Sequence, residues 1–182
     1  MELFTTQTDR LTLRLINPSV FHWAYKELSD AEISTLFQFK EESDLVTAKQ
    51  RYAEGIESLW FKFAGFQIFR TSDMKYLGWC GFHTIVVNHQ RGEVGYVLEA
   101  EEERNKGYMG EALKAVLKYG FNELKLNRIE ALTSPTNEIS QKLLHANGFV
   151  QEGELRRHYL KDGVFENSVF YGLLKEEYER LN

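Results

Sequence analysis

A chain of 182 residues with 43% hydrophobic side chains can bury a core of ordinary size without a disulfide or a structural metal. Its 22 Lys and Arg against 27 Asp and Glu leave a net charge of −5, which excludes a broad nucleic-acid face, because phosphate binding on that scale needs an excess of cations. Residues 1–10 lack the apolar core of a signal peptide and no apolar run reaches the roughly 20 residues of a bilayer span, so a soluble, cytoplasmic protein with no membrane partner is expected. Cys80, the single cysteine, cannot form an intrachain disulfide and reads as a core residue.

Leu11, Leu13 and Leu15 alternate with Thr12 and Arg14, the period of a strand with one buried face. Asn17-Pro18 then supplies an N-cap and a first-turn proline, which predicts a helix to about Ser29. A second helical region is predicted to end near Phe63. Between the two, Phe37 to Asp44 is aromatic at one end and polar at the other, a composition suited to lining a pocket, with Phe39 as its candidate contact. From Gly65 to Leu98 the pattern is that of strands, over Phe66 to Arg70, Tyr76 to Val87 and Glu93 to Leu98, broken by turn residues into two hairpins. Met109, Ala112, Leu113, Val116, Leu117, Gly120, Phe121 and Leu124 recur at steps of three and four and define the clearest helix. A short strand at Ile129 to Thr133, an amphipathic helix at Glu138 to Ala146, and a strand pair at Phe149 to Tyr159 and Val164 to Leu174 complete the chain. The order is mixed α/β, read as one domain over 1–182 with no internal repeat.

Chemistry concentrates after the strand that begins at Glu93. Arg104-Asn105-Lys106-Gly107-Tyr108-Met109-Gly110 leads straight into the long helix. The first N–H groups of a helix have no intrahelical acceptor and carry the positive end of its dipole, so a strand, a glycine turn and a helix start form an anion site suited to a pyrophosphate. Gly107 and Gly110 allow close backbone approach, and Arg104 and Lys106 add cations. A glycine turn before a helix is also common without any ligand. There is no G-x-x-x-x-G-K-[ST] and no G-x-G-x-x-G, which argues against a nucleotide hydrolase or a dinucleotide dehydrogenase. The five histidines show no H-E-x-x-H or paired-cysteine spacing, so no metal is expected.

Arg104 to Met109 resembles the R-x-x-G-x-G/A motif with which GNAT acetyltransferases hold the pyrophosphate of CoA. Asp9 to Arg14, Gly95-Tyr96-Val97-Leu98, Lys106-Gly107-Tyr108, Asn137-Glu138-Ile139-Ser140 and Asn147-Gly148-Phe149 follow in the order seen in the ribosomal-protein N-terminal (alanine/serine) acetyltransferase branch, so the resemblance spans roughly Thr8 to Leu174. Asn105 and Met109 depart from the motif, standing where the branch has glycine and where the motif has glycine or alanine.

The resemblance implies a mixed, mostly antiparallel, splayed sheet flanked by helices. It also implies acetyl-CoA as co-substrate, an amine acceptor as partner, and direct transfer in a ternary complex of a monomer or homodimer. CoA contacts would come from Val97, Leu98, Arg104, Asn105, Lys106, Gly107, Tyr108, Met109, Gly110, Asn137 and Lys142. Glu93 would assist deprotonation of the amine, the alternative being a surface glutamate after a turn. The tyrosine that many of these enzymes use to protonate the departing thiolate falls at Leu144. Ser140, one turn earlier, takes its place, or else only caps the helix. Tyr159 would line the acceptor pocket with Arg156, Arg157 and His158 beside it, and Asn167 stands where the last strand has an aspartate. Glu99 and Glu101 to Glu103 read as a solvated loop, or as a lure for a cationic acceptor. A silent CoA-binding module, and an unrelated α/β binding domain, are the two competing readings.

Overall fold

The computed structural model describes residues 1–55 and 62–181. In chain order the elements are β1 (Thr5–Gln7), β2 (Leu11–Ile16), α1 (Pro18–Glu27), α2 (Asp30–Phe37), α3 (Glu42–Glu54), β3 (Lys62–Arg70), β4 (Lys75–Val86), β5 (Arg91–Leu98), α4 (Tyr108–Asn122), β6 (Arg128–Thr133), α5 (Glu138–Ala146), β7 (Val150–Lys161), β8 (Val164–Leu174) and α6 (Lys175–Leu181).

Helix starts follow from local chemistry. Asn17 Oδ1 accepts from the Val20 N–H at 3.1 Å ahead of Pro18, as the sequence predicts. A Ser29–Glu32 capping box then opens α2, a helix not separated from its neighbours by periodicity alone. Left-handed Gln38 (φ 61°) closes it, so the stretch from Phe37 to Asp44 is the junction of α2 with α3 rather than a free loop. The second predicted helical region corresponds to α3 and ends at Glu54, while Phe63 belongs to β3; α2 is an additional helix before it.

One sheet runs in the order β1-β2-β3-β4-β5-β6-β8-β7, antiparallel except for β5 with β6. Its core face is covered by α4, whose Ala112, Leu113, Val116, Leu117, Gly120 and Phe121 are buried. Each fully buried Leu or Phe in that stripe contributes about 1.5–3 kcal/mol of burial. Gly120 is required by contact: a Cβ there would lie 2.5 Å from Phe82 Cζ. Cys80 is fully buried in the same core, and burial pushes its thiol well above the ordinary range, which makes it a poor nucleophile.

The parallel pair shapes the molecule. Arg91, Gly92 and Glu93 pair with Arg128, Ile129 and Glu130, and there the ladder stops. Beyond it, Val94 to Leu98 stay paired with β4 on one side, and Ala131 to Thr133 with β8 on the other, so the two strands part. Ion pairs fasten the closed end: Arg91 Nη1 donates to Glu130 Oε2 at 2.6 Å, Arg128 Nε to Glu130 Oε1 at 2.8 Å, and Arg128 also forks onto Glu152.

Candidate active site

Where β5 and β6 part, a cavity of about 800 Å³ opens, with Glu93 and Tyr96 on β5, Asn137 and Ser140 at the start of α5, and Tyr159 on β7 among its walls. Side chains alternate along a strand, so β5 offers this cavity two different faces. Glu93, Gly95 and Val97 share one face, and Val94 and Tyr96 share the other, the latter two packing into the core.

On the Glu93 face, β4 carries an irregularity between Phe82 and Thr84: Phe82 pairs with Val94 and Thr84 with Glu93, which leaves His83 as the extra residue of a bulge. The bulge sets His83 Nε2 at 3.4 Å from Glu93 Oε1 and Nδ1 at 3.2 Å from Thr84 Oγ1. Gly95 makes room for this arrangement, because a Cβ there would meet His83 Cδ2 at 3.0 Å and Trp79 Cη2 at 3.2 Å. Glu93 and His83 keep 26% and 45% of their side chains exposed, so both remain open to a ligand. Glu130, beside Glu93 in the ladder, is by contrast held by two arginines.

On the other face, Tyr96 and Ser140 both stand in the cavity wall. Burial pushes the Tyr96 phenol up to about 12, with Ser140 pulling the opposite way, so it stays protonated at neutral pH. Ser140 sits in the first turn of α5, where its N–H donates to Asn137 Oδ1 at 3.1 Å. Asn137 is therefore the helix cap as well as a cavity wall. Leu144 is fully buried in the core, so the residue one turn beyond Ser140 does not reach the cavity. Neither His83 nor Tyr96 was singled out from the sequence as a candidate. The alternation of Tyr96 with Glu93 along one strand was a signal for the tyrosine, whereas the bulge that turns His83 toward Glu93 has no signature in composition.

Past the end of β5 lies the predicted anion turn. Asn105 and Gly107 adopt left-handed φ values of 60° and 80° and curl the chain into the start of α4, whose ladder begins with the Glu111 N–H donating to Gly107 O at 3.1 Å. The N–H groups of Tyr108, Met109 and Gly110 precede that ladder, as an anion site requires. Gly107 is exposed, and a Cβ there would lie 3.4 Å from Arg10 Nη2, so glycine relieves both φ and contact. Tyr108 is buried under the Arg10 guanidinium, 4.7 Å from its ring centroid, and Met109 packs against the core. Only the backbone of those two residues is available to a ligand. Gly110 faces α5, where a Cβ would make ordinary contact with Leu143 at 3.6 Å.

The cations of the turn have protein partners. Lys106 Nζ donates to Glu103 at 3.0 Å, while Arg104 bonds Glu101 at 2.9 Å and reaches Leu98 O at 3.5 Å. Lys75 Nζ and Arg70 Nη1 also donate to Glu103, at 2.8 and 3.2 Å, and the Lys75 and Lys106 bonds bring the Glu103 carboxyl down to about 2 against the opposing effect of desolvation. Arg10 braces the turn from β2's side through Lys106 O at 2.9 Å and Glu111 Oε2 at 2.7 Å, a contact between residues about a hundred positions apart.

The remaining predicted residues are dispersed. Val97 and Leu98 line the parted edge of β5 beyond the cavity's walls. Lys142 is exposed and pairs with Glu138 at 3.3 Å, one turn away. Tyr159 stands half-exposed at the rim. Phe39 is not in this cavity: it packs 5.7 Å from Phe37 and lines a separate cleft with Phe21 and Phe63. Asn167 is engaged by the Arg157 N–H at 2.8 Å and donates to Glu154 at 2.6 Å. Among the described residues no group of three or more His, Cys, Asp or Glu is placed to hold a metal, and no helix is long and apolar enough to cross a membrane.

Residues 10–150 match the acetyltransferase (GNAT) domain. The chain is 33% identical over 175 residues to the N-acetyltransferase p20 of Bacillus licheniformis, covering 96% of this chain and 98% of that protein. It is 30% identical over 171 residues to the N-acetyltransferase YoaA of Bacillus subtilis, covering 93% and 96%. The crystal structure of a GNAT-family acetyltransferase from Bacillus anthracis superposes with a TM-score of 0.67 at 24% identity, over 95% of this chain and 99% of that one. With a parted parallel pair, a glycine turn at the head of α4 and a domain match over most of its length, the chain belongs to the GNAT family of acetyltransferases.

Proposed function

We propose that the protein transfers the acetyl group of acetyl-CoA to a primary amine, an N-terminal α-amine or that of a small molecule, within a ternary complex. The observation that carries this reading is the parted β5–β6 pair, with Glu93 on one face of β5, Tyr96 and Ser140 on the other, and the α4 N-terminus beyond its end.

The α4 N–H groups and the curled Arg104–Gly107 turn receive the pyrophosphate, and the pantetheine arm enters between the strands, where Asn137 and the free edge of β5 near Leu98 meet it. Attack by the amine forms the N–C bond and breaks C–S, so nitrogen must lose a proton and sulfur must gain one. Glu93 serves the nitrogen side. Reference pKa values near 8 for an α-amine and 10.4 for a lysine-type amine show how little assistance the former requires. Ser140 serves the sulfur side. A hydroxyl carries one donor and two acceptor positions, so Ser140 can donate toward sulfur while still accepting from a neighbour.

Relatives and structural neighbours bear names that point to both acceptor types, a ribosomal-protein-S5-alanine acetyltransferase from Vibrio fischeri and a spermidine N(1)-acetyltransferase from Escherichia coli among them. The shared fold therefore leaves acceptor choice to the cavity walls. Titration with acetyl-CoA, followed on the same sample by a free-thiol assay across peptides, polyamines and amino sugars, tests the reading. Micromolar binding with thiol release for one acceptor class is the expected result. Binding without release would favour a CoA-sensing module, and absence of binding would overturn the reading altogether.

A further inference from the structure

We propose that His83 is the proton acceptor for the substrate amine, with Glu93 as the anchor of its positive charge. The inference rests on the acetyl-transfer reading and adds to it a residue and a division of labour.

A protein spends no bulge at random beside a cavity: the extra residue in β4 re-aims one side chain, and here that side chain is His83. Its ring lies close over Gly95, where a Cβ would stand 3.0 Å from His83 Cδ2, and its Nε2 stands 3.4 Å from Glu93 Oε1 inside the same cavity. Nδ1 is 3.2 Å from Thr84 Oγ1. A neutral imidazole has one N–H and one lone pair, and the nitrogen that donates decides which one accepts. Thr84 Oγ1 can accept from an Nδ1–H, and in that tautomer the Nε2 lone pair stands beside the Glu93 carboxylate, ready for a donor that bridges the two. Two neighbouring acceptors of this kind suit a ligand with at least two N–H bonds and a positive charge, which describes a primary alkylammonium.

The step then balances. The ammonium donates one hydrogen bond to Glu93 and gives a second proton to His83 Nε2. The neutral nitrogen attacks the thioester carbonyl and, as the C–S bond breaks, gives its remaining surplus proton to water, while the sulfur takes a proton from Ser140, which recovers one from water, so one proton is released overall. The imidazolium, paired with Glu93 and 45% exposed, returns its proton to water. Imidazole is suited to this task because its reference pKa near 6.5 lies about two units closer to that of an amine than a carboxylate's does.

The test compares wild type, His83→Gln and His83→Ala in the thiol-release assay with the best amine. His83→Gln keeps a hydrogen-bonding side chain but no base, and is expected to lower kcat by about 100-fold with the KM for acetyl-CoA nearly unchanged. In His83→Ala, added imidazole should restore turnover in a saturable manner, while wild type and His83→Gln show no such rise. Retention of kcat within about twofold in His83→Gln, or a loss in His83→Ala that imidazole does not relieve, overturns the proposal. Should wild type itself release no thiol with any amine, the acetyl-transfer reading fails, and the pair is judged by 15N NMR of the His83 ring. An alkylammonium should then shift the ring signals in wild type and not in Glu93→Gln, and equal shifts in both would overturn the pair.

Discussion

The two ends of β5 have different neighbours. Up to Glu93 the strand is paired on both sides, and the Arg91–Glu130 contact holds the neighbouring β6 against it, with Arg128 buttressing Glu130 from within β6. From Val94 onward only β4 accompanies it, and hydrogen-bonding groups such as Tyr96, Asn137 and Ser140 are among the side chains that line the gap. At the closed end Glu130 has two arginine partners, whereas at the open end Glu93 has a histidine at 3.4 Å and a quarter of its side chain exposed. A sheet can thus keep an internal edge with reactive groups along it, provided the start of that edge is firmly anchored, because unpaired edges otherwise close by strand pairing.

The anchor is the first thing to break. Glu130→Ala removes the carboxylate shared by Arg91 and Arg128 and leaves Arg91 without that partner while Arg128 keeps Glu152, so unfolding stability in urea should fall by about 2 kcal/mol. Thiol release should fall with the folded fraction, and an unchanged urea midpoint would show that the strand pairing needs no such fastening. At the open end the expected effect is smaller and purely kinetic. Tyr96→Phe keeps the ring packing and deletes the hydroxyl that shares the cavity wall with Ser140, which should cost about tenfold in kcat, or ~1.4 kcal/mol, at constant CoA affinity. If Tyr96 acts by positioning Ser140, adding Ser140→Ala should produce no further loss, since residues acting as a unit are not additive. Multiplicative losses would separate the two hydroxyls.

Much of this was legible in the sequence where a repeating physical pattern was at work. The stripe from Met109 to Leu124 announces α4 because burial on one face imposes a spacing of three and four, and the glycine turn before it announces an anion site because helix starts leave N–H groups free. What escaped was set by tertiary contact. Phe39 was placed in the acceptor pocket on composition, yet the Ser29–Glu32 capping box and left-handed Gln38 send that aromatic into a cleft of its own. His83 was invisible because its direction depends on one extra residue in a strand pairing, and Arg10 because it acts on a turn about a hundred residues away. Lys106 and Arg104 read in the sequence as cations for phosphate, and the fold adds what the sequence does not display, their carboxylate partners Glu103 and Glu101.

That last contrast yields the mildest predictions. Glu103 is held down to about 2, chiefly by Lys75 and Lys106, against an ordinary 4.5 in the unfolded chain. A carboxyl with a depressed folded value contributes stability that is complete above its unfolded value and is lost as the pH falls through the folded one. The urea midpoint of wild type should therefore decline between about pH 4.5 and 2 more steeply than that of Glu103→Gln, which has no carboxyl to titrate there. Parallel declines would mean that other carboxylates govern acid unfolding. The smallest effect belongs to Lys142, whose ammonium is 79% exposed and pairs only with an equally exposed Glu138. Exposed i,i+4 pairs contribute a few tenths of a kcal/mol, so Lys142→Ala should leave stability unaltered and move the CoA dissociation constant by less than about twofold. A larger weakening of CoA binding, with the gap between wild type and variant closing as salt is raised, would place the Lys142 charge on a CoA phosphate after all, since an exposed charge that reaches a phosphate is the kind that salt screens.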